Sequence, residues 1–392
     1  MRKICIITGA RAEYGLLHQV MRGIKDDSEF SLQVIATGMH LSPEFGLTYQ
    51  EIEQDGFRID QKVEMLMSSD TSVGVTKSMG LGLIGFADAL NQLQPDIVVV
   101  LGDRFEIFVA VSACLVARIP VAHLHGGETT EGAIDEALRH SITKMSHLHF
   151  VAAEEYLRRV IQLGETPKNV FMVGGLGVDN VKSIKLLDRR ELEIDLGLRF
   201  NKRNLLITFH PATLDNSSAS IQISELLISL ASLADTQLIF TMPNADTDSR
   251  GIVNLINEFV SQHENAHAFK SLGQLRYLSC LEQVDAVVGN SSSGLTEAPS
   301  FKKGTINIGD RQKGRLQANS VINCGPNAIE ISQALNQLYS EDFQASLIHA
   351  SSPYGEGGAS KKILCILKNI DLNGVLKKSF YDLPTHFIKG LK

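Results

Sequence analysis

Short polar segments, each following an apolar run, hold the residues of this chain that could do chemistry. Two of the segments are rich in carboxylates: LGDRFE contains Asp103 and Glu106, and HGGETTEGAIDE contains Glu128 and Asp135. Carboxylates can divide the work of general acid and general base, because burial and neighbouring charges move their pKa values apart. Two structural alternatives stand beside this interpretation. Asp103 can cap the helix that follows it, and Asp135 can pair with Arg139 four residues later on a helix.

A histidine and a serine loop add groups that can hold an anion. His210 in TFHPAT stands between an apolar run and a proline, where it can serve as acid, base or phosphate partner, with packing as the alternative. The loop GNSSSG at 289–294 has small residues that let the backbone approach a ligand, and its N–H groups favour phosphate. Asn290 and the serines can instead cap the following helix. No lysine follows the loop, so it is not a Walker phosphate loop.

Further polar groups in these segments fit a phosphorylated substrate better than a metal. Asn244 in MPNADTDS can bind a hydroxyl or a phosphate, although Asn-Ala-Asp is also typical of a turn. His123 and His125 lie at strand spacing, but zinc requires a third and a fourth ligand, so we interpret them as packing residues. The set suits a nucleotide-diphosphate substrate whose diphosphate leaves while carboxylates move protons. Three arginines can balance the diphosphate charge: Arg11, Arg104 and Arg311.

The apolar runs predict the elements that position these groups. Runs that are almost continuously apolar and that alternate with amphipathic segments, such as 12–25 and 104–118, are typical of parallel sheets covered by helices. We therefore predict an α/β fold with two doubly wound Rossmann-like domains that face each other across a cleft. Ligands bind beyond the carboxyl ends of such strands, where the polar segments lie. The predicted strands are KICIIT, SLQVIA, DIVVVLG, VAHLHG, LHFVA, VFMVG, NLLITF, TQLIF, AHAF, DAVVG and TINIG.

Composition along the chain predicts the domain boundaries. Residues 1–180 form an N-terminal α/β domain that carries the catalytic carboxylates, and residues 204–370 form a C-terminal α/β domain that binds the nucleotide. The charged segment 181–203 connects the two domains. Residues 371–392 form a tail that can pack back on the N-terminal domain.

One glycine motif is misleading. GLGLIG at 80–85 matches the dinucleotide fingerprint G-x-G-x-x-G, which requires a strand before it and a helix that opens after it. The preceding residues show no strand pattern, and the glycines lie inside a helical pattern that continues to Leu93. We therefore interpret them as helix-packing residues and predict no dinucleotide cofactor.

The bulk composition argues against several classes of protein. The 392 residues are 44% hydrophobic and 21% charged, as in globular proteins, and the net charge of −7 argues against a general nucleic-acid binder. The longest apolar stretch, 107–117, is too short to span a membrane, and the N-terminal apolar run is too short for a signal peptide. Five scattered cysteines without a CxxC pair favour reduced thiols in the cytoplasm. We therefore predict no metal, no nucleic-acid or membrane partner and a cytoplasmic location.

Together the motifs resemble those of a known family. GARAEYG, TGMHL, LGDRFE, HGGE followed by DEALRHSITKMSHLH, TFHP, GNSSSG with Glu297, and GDRQKGR are similar to the motifs of the hydrolysing UDP-N-acetylglucosamine 2-epimerases. The likeness is greatest to the bacterial enzymes of neuraminic and legionaminic acid pathways, and it spans the chain from Ile4 to about residue 360. It implies the two-domain glycosyltransferase-B architecture, a UDP-sugar substrate, no cofactor, and a homodimer or homotetramer.

The resemblance also implies a reaction and the residues that carry it. The C2 proton of the sugar is removed and UDP leaves C1; water then adds to the 2-acetamidoglycal with the opposite configuration at C2, which releases a ManNAc-type sugar. His210 would lie at the diphosphate, and Glu297 would bind the ribose hydroxyls. The implied catalytic residues are Asp103, Glu128, Asp135 and His210. The implied substrate-binding residues are Arg11, His40, Arg104, Arg139, Asn244, Ser291, Ser292, Glu297 and Arg311.

Three other functions fit the same motifs. A non-hydrolysing 2-epimerase would return the glycal to UDP, so its product would still carry the nucleotide. A glycosyltransferase of the same fold would need an acceptor and would not turn over with water alone. A non-catalytic nucleotide-sugar sensor would tolerate Asp103→Asn. The sequence also leaves two sugars open, N-acetylglucosamine and its 2,4-diacetamido-6-deoxy analogue, which differ at C4 and C6.

Overall fold

The computed structural model describes residues 1–212, 218–233, 235–244, 246 and 248–383, and these residues contain two parallel sheets. All eleven predicted apolar runs are strands, so the predicted α/β class with two sheets is confirmed. Two further strands, QKV and VINC, were not predicted, and each lies at the edge of a sheet.

The first sheet is made of seven strands: β1 (Arg2–Thr8), β2 (Phe30–Thr37), β3 (Gln61–Val63), β4 (Ile97–Leu101), β5 (Val121–Leu124), β6 (Leu148–Val151) and β7 (Val170–Met172). Their order is β3-β2-β1-β4-β5-β6-β7. Ile6 of β1 pairs with Val34 of β2 on one side and with Val99 of β4 on the other. The order reverses between β1 and β4, and a crevice for a ligand opens at such a point beyond the strand ends.

The second sheet is made of six strands: β8 (Arg203–Thr208), β9 (Thr236–Thr241), β10 (Ala266–Phe269), β11 (Ala286–Gly289), β12 (Gly304–Ile308) and β13 (Val321–Cys324). Their order is β10-β9-β8-β11-β12-β13. Val288 of β11 pairs with Ile207 of β8 and with Ile306 of β12. The order therefore reverses between β8 and β11, the two strands that precede TFHPAT and GNSSSG.

Helices connect the strands and cover the sheets. The predicted helical segments 12–25 and 104–118 correspond to α1 and α4, and GLGLIG lies inside α3, as predicted. The helices are α1 (Arg11–Asp26), α2 (Tyr49–Gln54), α3 (Ser72–Leu93), α4 (Phe105–Ala117), α5 (Asp135–Met145), α6 (Glu154–Gln162), α7 (Leu176–Ser183), α8 (Arg189–Leu196), α9 (Ala219–Ala231), α10 (Ser249–Gln262), α11 (Gly273–Gln283), α12 (Ser293–Thr296), α13 (Ala328–Leu338), α14 (Glu341–Ser346) and α15 (Ala359–Asn369).

The core on each face of the first sheet follows from the two-residue period of its strands. Ile4 and Ile6 of β1 point to one face and pack in the same core as Leu17 of α1. Cys5 and Ile7 point to the other face and share a core with side chains of α3 and α4. Both faces are thus buried, which explains the uninterrupted apolar runs.

The end of the chain returns to the first domain. Helix α15 packs in the core beside α1, although the predicted range 204–370 assigns this helix to the second domain. In the described part of the predicted tail, 371–383, Lys378 Nζ lies 2.7 Å from Glu165 Oε2 of the first domain. Residues 384–392 of the predicted tail lie outside the described residues.

Candidate active site

The polar loops after β1, β4, β8 and β11 meet in one cleft between the two sheets. These four strands flank the two points where strand order reverses, so their loops open toward a shared crevice. The cleft has a volume of about 240 Å³ and is lined from both domains. Three residues of the predicted loops, Thr213, Ala245 and Thr247, lie outside the described residues. Ten predicted site residues line the cleft: Arg11, Asp103, Arg104, Asp135, His210, Asn244, Ser291, Ser292, Glu297 and Arg311.

Asp103 is held by an arginine and does not cap a helix. Arg139 Nη2 donates to Asp103 Oδ2, and Arg139 Nη1 donates to the carbonyl of His125 over 2.8 Å. Helix α4 has Arg104 at its cap position and no side-chain cap, so the capping alternative is wrong. The alternative pair between Asp135 and Arg139 is also wrong, because the guanidinium turns to Asp103 instead. Arg139 is 2% exposed and lies behind the cleft, outside its lining.

Asp135 is a carboxylate of the cleft that can exchange a proton near neutral pH. Burial, followed by the negative charges of Asp103 and Asp246, raises its pKa from 3.8 to about 7. The positive charges of Arg311 and Arg104 lower the pKa but only partly offset these effects. A group with this pKa populates both protonation states at pH 7, as a general base or acid requires.

Arg104 is committed to two carboxylates. Its Nε donates to Glu106 Oε1 over 3.2 Å, and its Nη1 donates to Asp246 Oδ1 over 2.9 Å. Asp246 lies in the loop after β9, so this ion pair joins the two domains. The third nitrogen of this guanidinium, Nη2, is buried and has no hydrogen-bond partner among the described atoms. We predicted that Arg104 holds the diphosphate. Only one of its three guanidinium nitrogens, Nη2, is therefore left for that contact.

A pair of buried glutamates lies beside these groups. Gly9 N–H donates to Glu13 Oε2 over 2.8 Å, and burial, then the charge of Glu106, raises the pKa of Glu13 to about 8. Burial also raises the pKa of Glu106. Within the described residues, Glu13 Oε1 has no hydrogen-bond partner. Glu13 lines the cleft and carries a proton at neutral pH, so it can donate a hydrogen bond to a ligand there.

His210 is a neutral hydrogen-bond donor on the opposite side. Asn244 N–H donates to its Nδ1 over 3.4 Å, which places the ring proton on Nε2. Burial, then the charge of Arg311, lowers the pKa of His210 to about 3. The backbone on each side of the ring is fixed by Asn290, whose Oδ1 accepts from His210 N–H over 2.7 Å and whose Nδ2 donates to its carbonyl over 2.8 Å.

The serine loop begins at a position that only glycine can occupy. Gly289 has φ +132°, and a Cβ atom there would lie 2.0 Å from the carbonyl oxygen of Thr208. The Asn290 side chain is bound to His210 and caps no helix, so the capping alternative is not observed for Asn290. Of the serines, Ser291 Oγ accepts from Ser293 N–H over 3.4 Å, and Ser292 forms no side-chain cap. The helix that follows, Ser293–Thr296, is a single turn with a small dipole, so nearby cations must supply most of the charge for an anion.

Two arginines and a glutamate complete the lining. Arg311 Nη1 donates to the carbonyl of Asn290 over 3.1 Å, and its buried Nε has no partner among the described atoms. Burial lowers the pKa of Arg11 and raises that of Glu297. A Cβ atom on Gly177 would lie 2.9 Å from Glu297 Cγ, so this glutamate sits between the serine loop and α7.

Besides Arg139, two further predicted site residues lie behind the cleft, Glu128 and His40. Glu128 is 2% exposed and is held by His125 Nδ1 at 2.7 Å and Arg315 Nη1 at 3.2 Å. Burial raises its pKa, but Arg315 and His125 outweigh burial and hold the pKa well below its usual range. His40 is fully buried between two threonine hydroxyls, 3.1 and 2.8 Å from its ring nitrogens. In the described ranges, no group of three or more His, Cys, Asp or Glu side chains could hold a metal ion.

Sequence reasoning missed three charged residues of this region: Glu13, Asp246 and Arg315. Each one lies in a polar segment that was already singled out, GARAEYG, MPNADTDS or GDRQKGR. The position at a strand end was the only signal, and the ionic partners of Asp246 and Arg315 are far away in the sequence.

Two solved structures share this architecture. A structure titled S. aureus MnaA-UDP co-structure matches with a TM-score of 0.78 at 18% identity, over 98% of this chain and 100% of that one. The Methanocaldococcus jannaschii UDP-GlcNAc 2-epimerase in complex with UDP-GlcNAc and UDP matches with a TM-score of 0.77 at 17% identity, over 93% and 99%. The fold and the cleft thus define a two-domain α/β protein of the glycosyltransferase-B type, as predicted.

The sequence comparisons specify the family. The family described as UDP-N-acetylglucosamine 2-epimerase matches residues 22–368. A Campylobacter jejuni protein named GDP/UDP-N,N'-diacetylbacillosamine 2-epimerase (hydrolyzing) is 44% identical over 97% of this chain and 99% of its own. The Escherichia coli polysialic acid biosynthesis protein P7 is 39% identical over 98% of both. A Legionella pneumophila UDP-N,N'-diacetylbacillosamine 2-epimerase (hydrolyzing) is 34% identical over 95% and 97%. This chain belongs to the UDP-N-acetylglucosamine 2-epimerase family.

Proposed function

We propose that this protein is a hydrolysing 2-epimerase that converts a UDP-linked 2-acetamido sugar and water into UDP and the free 2-epimer. The prediction of a hydrolysing enzyme agrees with the names of relatives that are 44% and 34% identical. The observation that carries the proposal is the division of the cleft into two sides. Carboxylates, including Asp135 with its pKa of about 7, lie on one side, and Arg311, His210 and the serine loop lie on the other.

The carboxylate side would handle the sugar. In the first step a carboxylate removes the C2 proton, the C1–O bond breaks, and the electron pair leaves with UDP. Asp135 suits this transfer because its pKa lets it take a proton and give it back. Asp103, oriented by Arg139, would assist at the second step, when water adds at C1 and a proton returns to the opposite face of C2. The catalytic role of Glu128 and the substrate-binding role of His40 stay predictions, since both residues lie behind the cleft.

The other side would hold the leaving diphosphate. The Nε2 proton of His210 and the guanidinium of Arg311 can donate to phosphate oxygens as charge develops. Ser291 and Ser292 line the same side and would add hydroxyl and backbone donors. Glu297 would bind the ribose hydroxyls. With the diphosphate stabilised in this way, the weakly acidic C2 proton can be removed by an ordinary carboxylate.

Release of free UDP distinguishes this reaction from its alternatives. The protein is incubated with the UDP-sugar in water, and free UDP and the attachment of the epimerised sugar are followed together. We expect free UDP and free sugar in equal amounts. A product that still carries UDP would identify a non-hydrolysing epimerase, and turnover only with an added acceptor would identify a glycosyltransferase. Binding without turnover would identify a sensor.

The sugar and the pathway are part of the proposal. The relatives' names support a 2,4-diacetamido-6-deoxy sugar, and the resemblance supports sialic or legionaminic acid synthesis. Turnover of UDP-N-acetylglucosamine and of the diacetamido analogue is measured side by side. A binding site that pairs with the C4 substituent rejects the sugar that lacks it by a large factor. We further propose a cytoplasmic location, supported by five free cysteines, and a homo-oligomeric state.

A further inference from the structure

A loop of the second domain rests on the first domain beside the cleft. This loop, residues 310–316, joins β12 to β13, and we name it the arginine loop. Arg315 Nη1 lies 3.2 Å from Glu128 Oε2 of the first domain. A Cβ atom on Gly132 of the first domain would lie 2.9 Å from Arg311 Cα, so the two backbones are in close contact there. Because Arg311 lines the cleft, its position depends on how the first domain holds this loop.

The end of the arginine loop belongs to a closed ring of hydrogen bonds. Leu316 N–H donates to Tyr156 Oη over 3.1 Å, and Tyr354 Oη donates to the Leu316 carbonyl over 3.1 Å. The two hydroxyl oxygens are 3.2 Å apart. A phenol has one proton to donate, so Tyr156 must donate to Tyr354, and the ring has a single direction. Both tyrosine side chains are fully buried, where a hydrogen bond is expensive to lose.

The arginine loop is anchored at both of its ends. At its last residue, Tyr156 belongs to α6 of the first domain and packs in one core with Tyr354. Tyr354 precedes α15, where the chain returns to the first domain, and its carbonyl accepts from Gly175 N–H over 2.8 Å. Near its first residue, Gln312 Nε2 donates to the carbonyl of Asn290 over 2.8 Å. The loop thus connects the serine loop of the second domain to a fixed point on the first.

We propose that Tyr156 and Tyr354 are positioning residues for nucleotide binding, which hold the arginine loop so that Arg311 is in place before the diphosphate binds. Neither tyrosine lines the cleft, so each acts through the loop and not on the substrate. Arg315 reaches the first domain through a flexible side chain, whereas the ring binds the backbone of the loop itself. A guanidinium that is held in advance loses less conformational freedom on binding. The inference rests on the proposed function, in which Arg311 holds the diphosphate.

Removal of one hydroxyl at a time tests the ring. Tyr354→Phe leaves the Leu316 carbonyl without this donor, and Tyr156→Phe leaves the Leu316 N–H without this acceptor. We expect each variant to raise the Kd for UDP, measured by titration calorimetry, by about tenfold, because a lost hydrogen bond releases the loop. Tyr339→Phe is the matched control and should leave the Kd unchanged, since its hydroxyl binds Asp285 in the second domain and lies outside the cleft.

The wild-type protein separates this inference from the proposed function. Absence of UDP binding by the wild type would contradict the proposed function itself. If the wild type binds UDP and both tyrosine variants bind it equally tightly, the positioning role is overturned while the proposed function stands. Circular dichroism identifies a variant that does not fold, and the other tyrosine variant then tests the ring by itself.

A double substitution distinguishes positioning from a merely structural role. Arg311→Met removes the group through which the ring acts, so adding Tyr354→Phe to it should leave the Kd for UDP almost unchanged. A merely structural role would lower the Tm of Tyr354→Phe without changing its Kd for UDP. That result, or a further loss of affinity in the Arg311→Met background as large as in the wild type, would overturn the proposal.

Discussion

Arg104 Nη1 donates to Asp246 Oδ1 over 2.9 Å and thereby joins the two domains at the edge of the cleft. Arg104 follows β4 of the first sheet, and Asp246 follows β9 of the second. Both side chains are nearly buried, at 9% and 12% exposed. The pair brings a negative charge of the second domain close to Asp135 of the first, so the position of one domain influences proton transfer on the other.

Asp246→Asn should lower the pKa of Asp135, because it removes one of the negative charges that raise it. We expect the limb of the kcat/KM profile with an apparent pKa near 7 to move to lower pH by about one unit. The exposed Asp248 lies in the same loop, and Asp248→Asn is the control that should leave the profile in place. An unmoved limb in Asp246→Asn would show that Asp246 does not act on the titrating group.

Asp135→Asn should change the pH dependence of stability. Because the folded pKa is raised from 3.8 to about 7, the folded protein keeps a proton that the unfolded chain has lost between these pH values. The contribution of Asp135 to the free energy of unfolding of the wild type is therefore fully present below pH 3.8 and is lost as the pH rises through about 7. We expect the Tm of Asp135→Asn relative to wild type to be higher at pH 8 than at pH 5, each pH measured by calorimetry. Asp235→Asn, at an exposed site, should show no such trend.

Loss of His210 should weaken nucleotide binding through a lost donor. A hydrogen bond to a charged oxygen contributes about 1.5–3 kcal/mol, so His210→Ala should raise the Kd for UDP by about 10- to 100-fold in titration calorimetry. His210→Gln keeps an N–H donor and should recover part of the affinity. His267→Ala, on β10 away from the cleft, is the control. Equal affinities for UDP in wild type and His210→Ala would exclude the contact.

The pair of Glu128 and Arg315 should contribute to stability as a unit. Arg315→Met leaves a buried carboxylate with only His125 as its partner, and removing one partner of a buried pair costs about 3 kcal/mol. Adding Glu128→Gln to Arg315→Met should cost little more, which a double-mutant cycle of urea unfolding measures. Strictly additive effects of the two changes would contradict this coupling.

The fold could be predicted where strands are buried on both faces. Runs such as DIVVVLG have no polar alternation because helices cover both sides of the sheet. The strands Gln61–Val63 and Val321–Cys324 were missed because each is an edge strand of three or four residues, partly exposed and partly polar. Such strands form only where a neighbour pairs with them, and a short sequence window does not contain that neighbour.

The sequence predicts which loops form the site, but it does not predict which charged side chains form ion pairs there. Because their loops follow strand ends, Asp103, Asp135 and His210 were predicted to lie in one cleft, and all three line it. Strand-end position did not show that Arg139 turns to Asp103, nor that Asp246 reaches Arg104, since both contacts depend on how distant loops approach one another in space. Local spacing offered only the helical pair of Asp135 and Arg139 as an alternative, and the structure does not contain that pair.

The most direct test compares UDP release and UDP binding in Asp135→Asn. The variant is mixed with the UDP-sugar, free UDP is followed over several turnovers of the wild type, and the Kd for UDP is measured in parallel. We expect no detectable UDP release together with a Kd within about threefold of wild type, since the carboxylate acts on the sugar and the nucleotide is held by the other side of the cleft. Release of UDP by the variant at the wild-type rate would contradict the role of Asp135 on the sugar. Complete loss of UDP binding would contradict the separation of the sugar site from the nucleotide site.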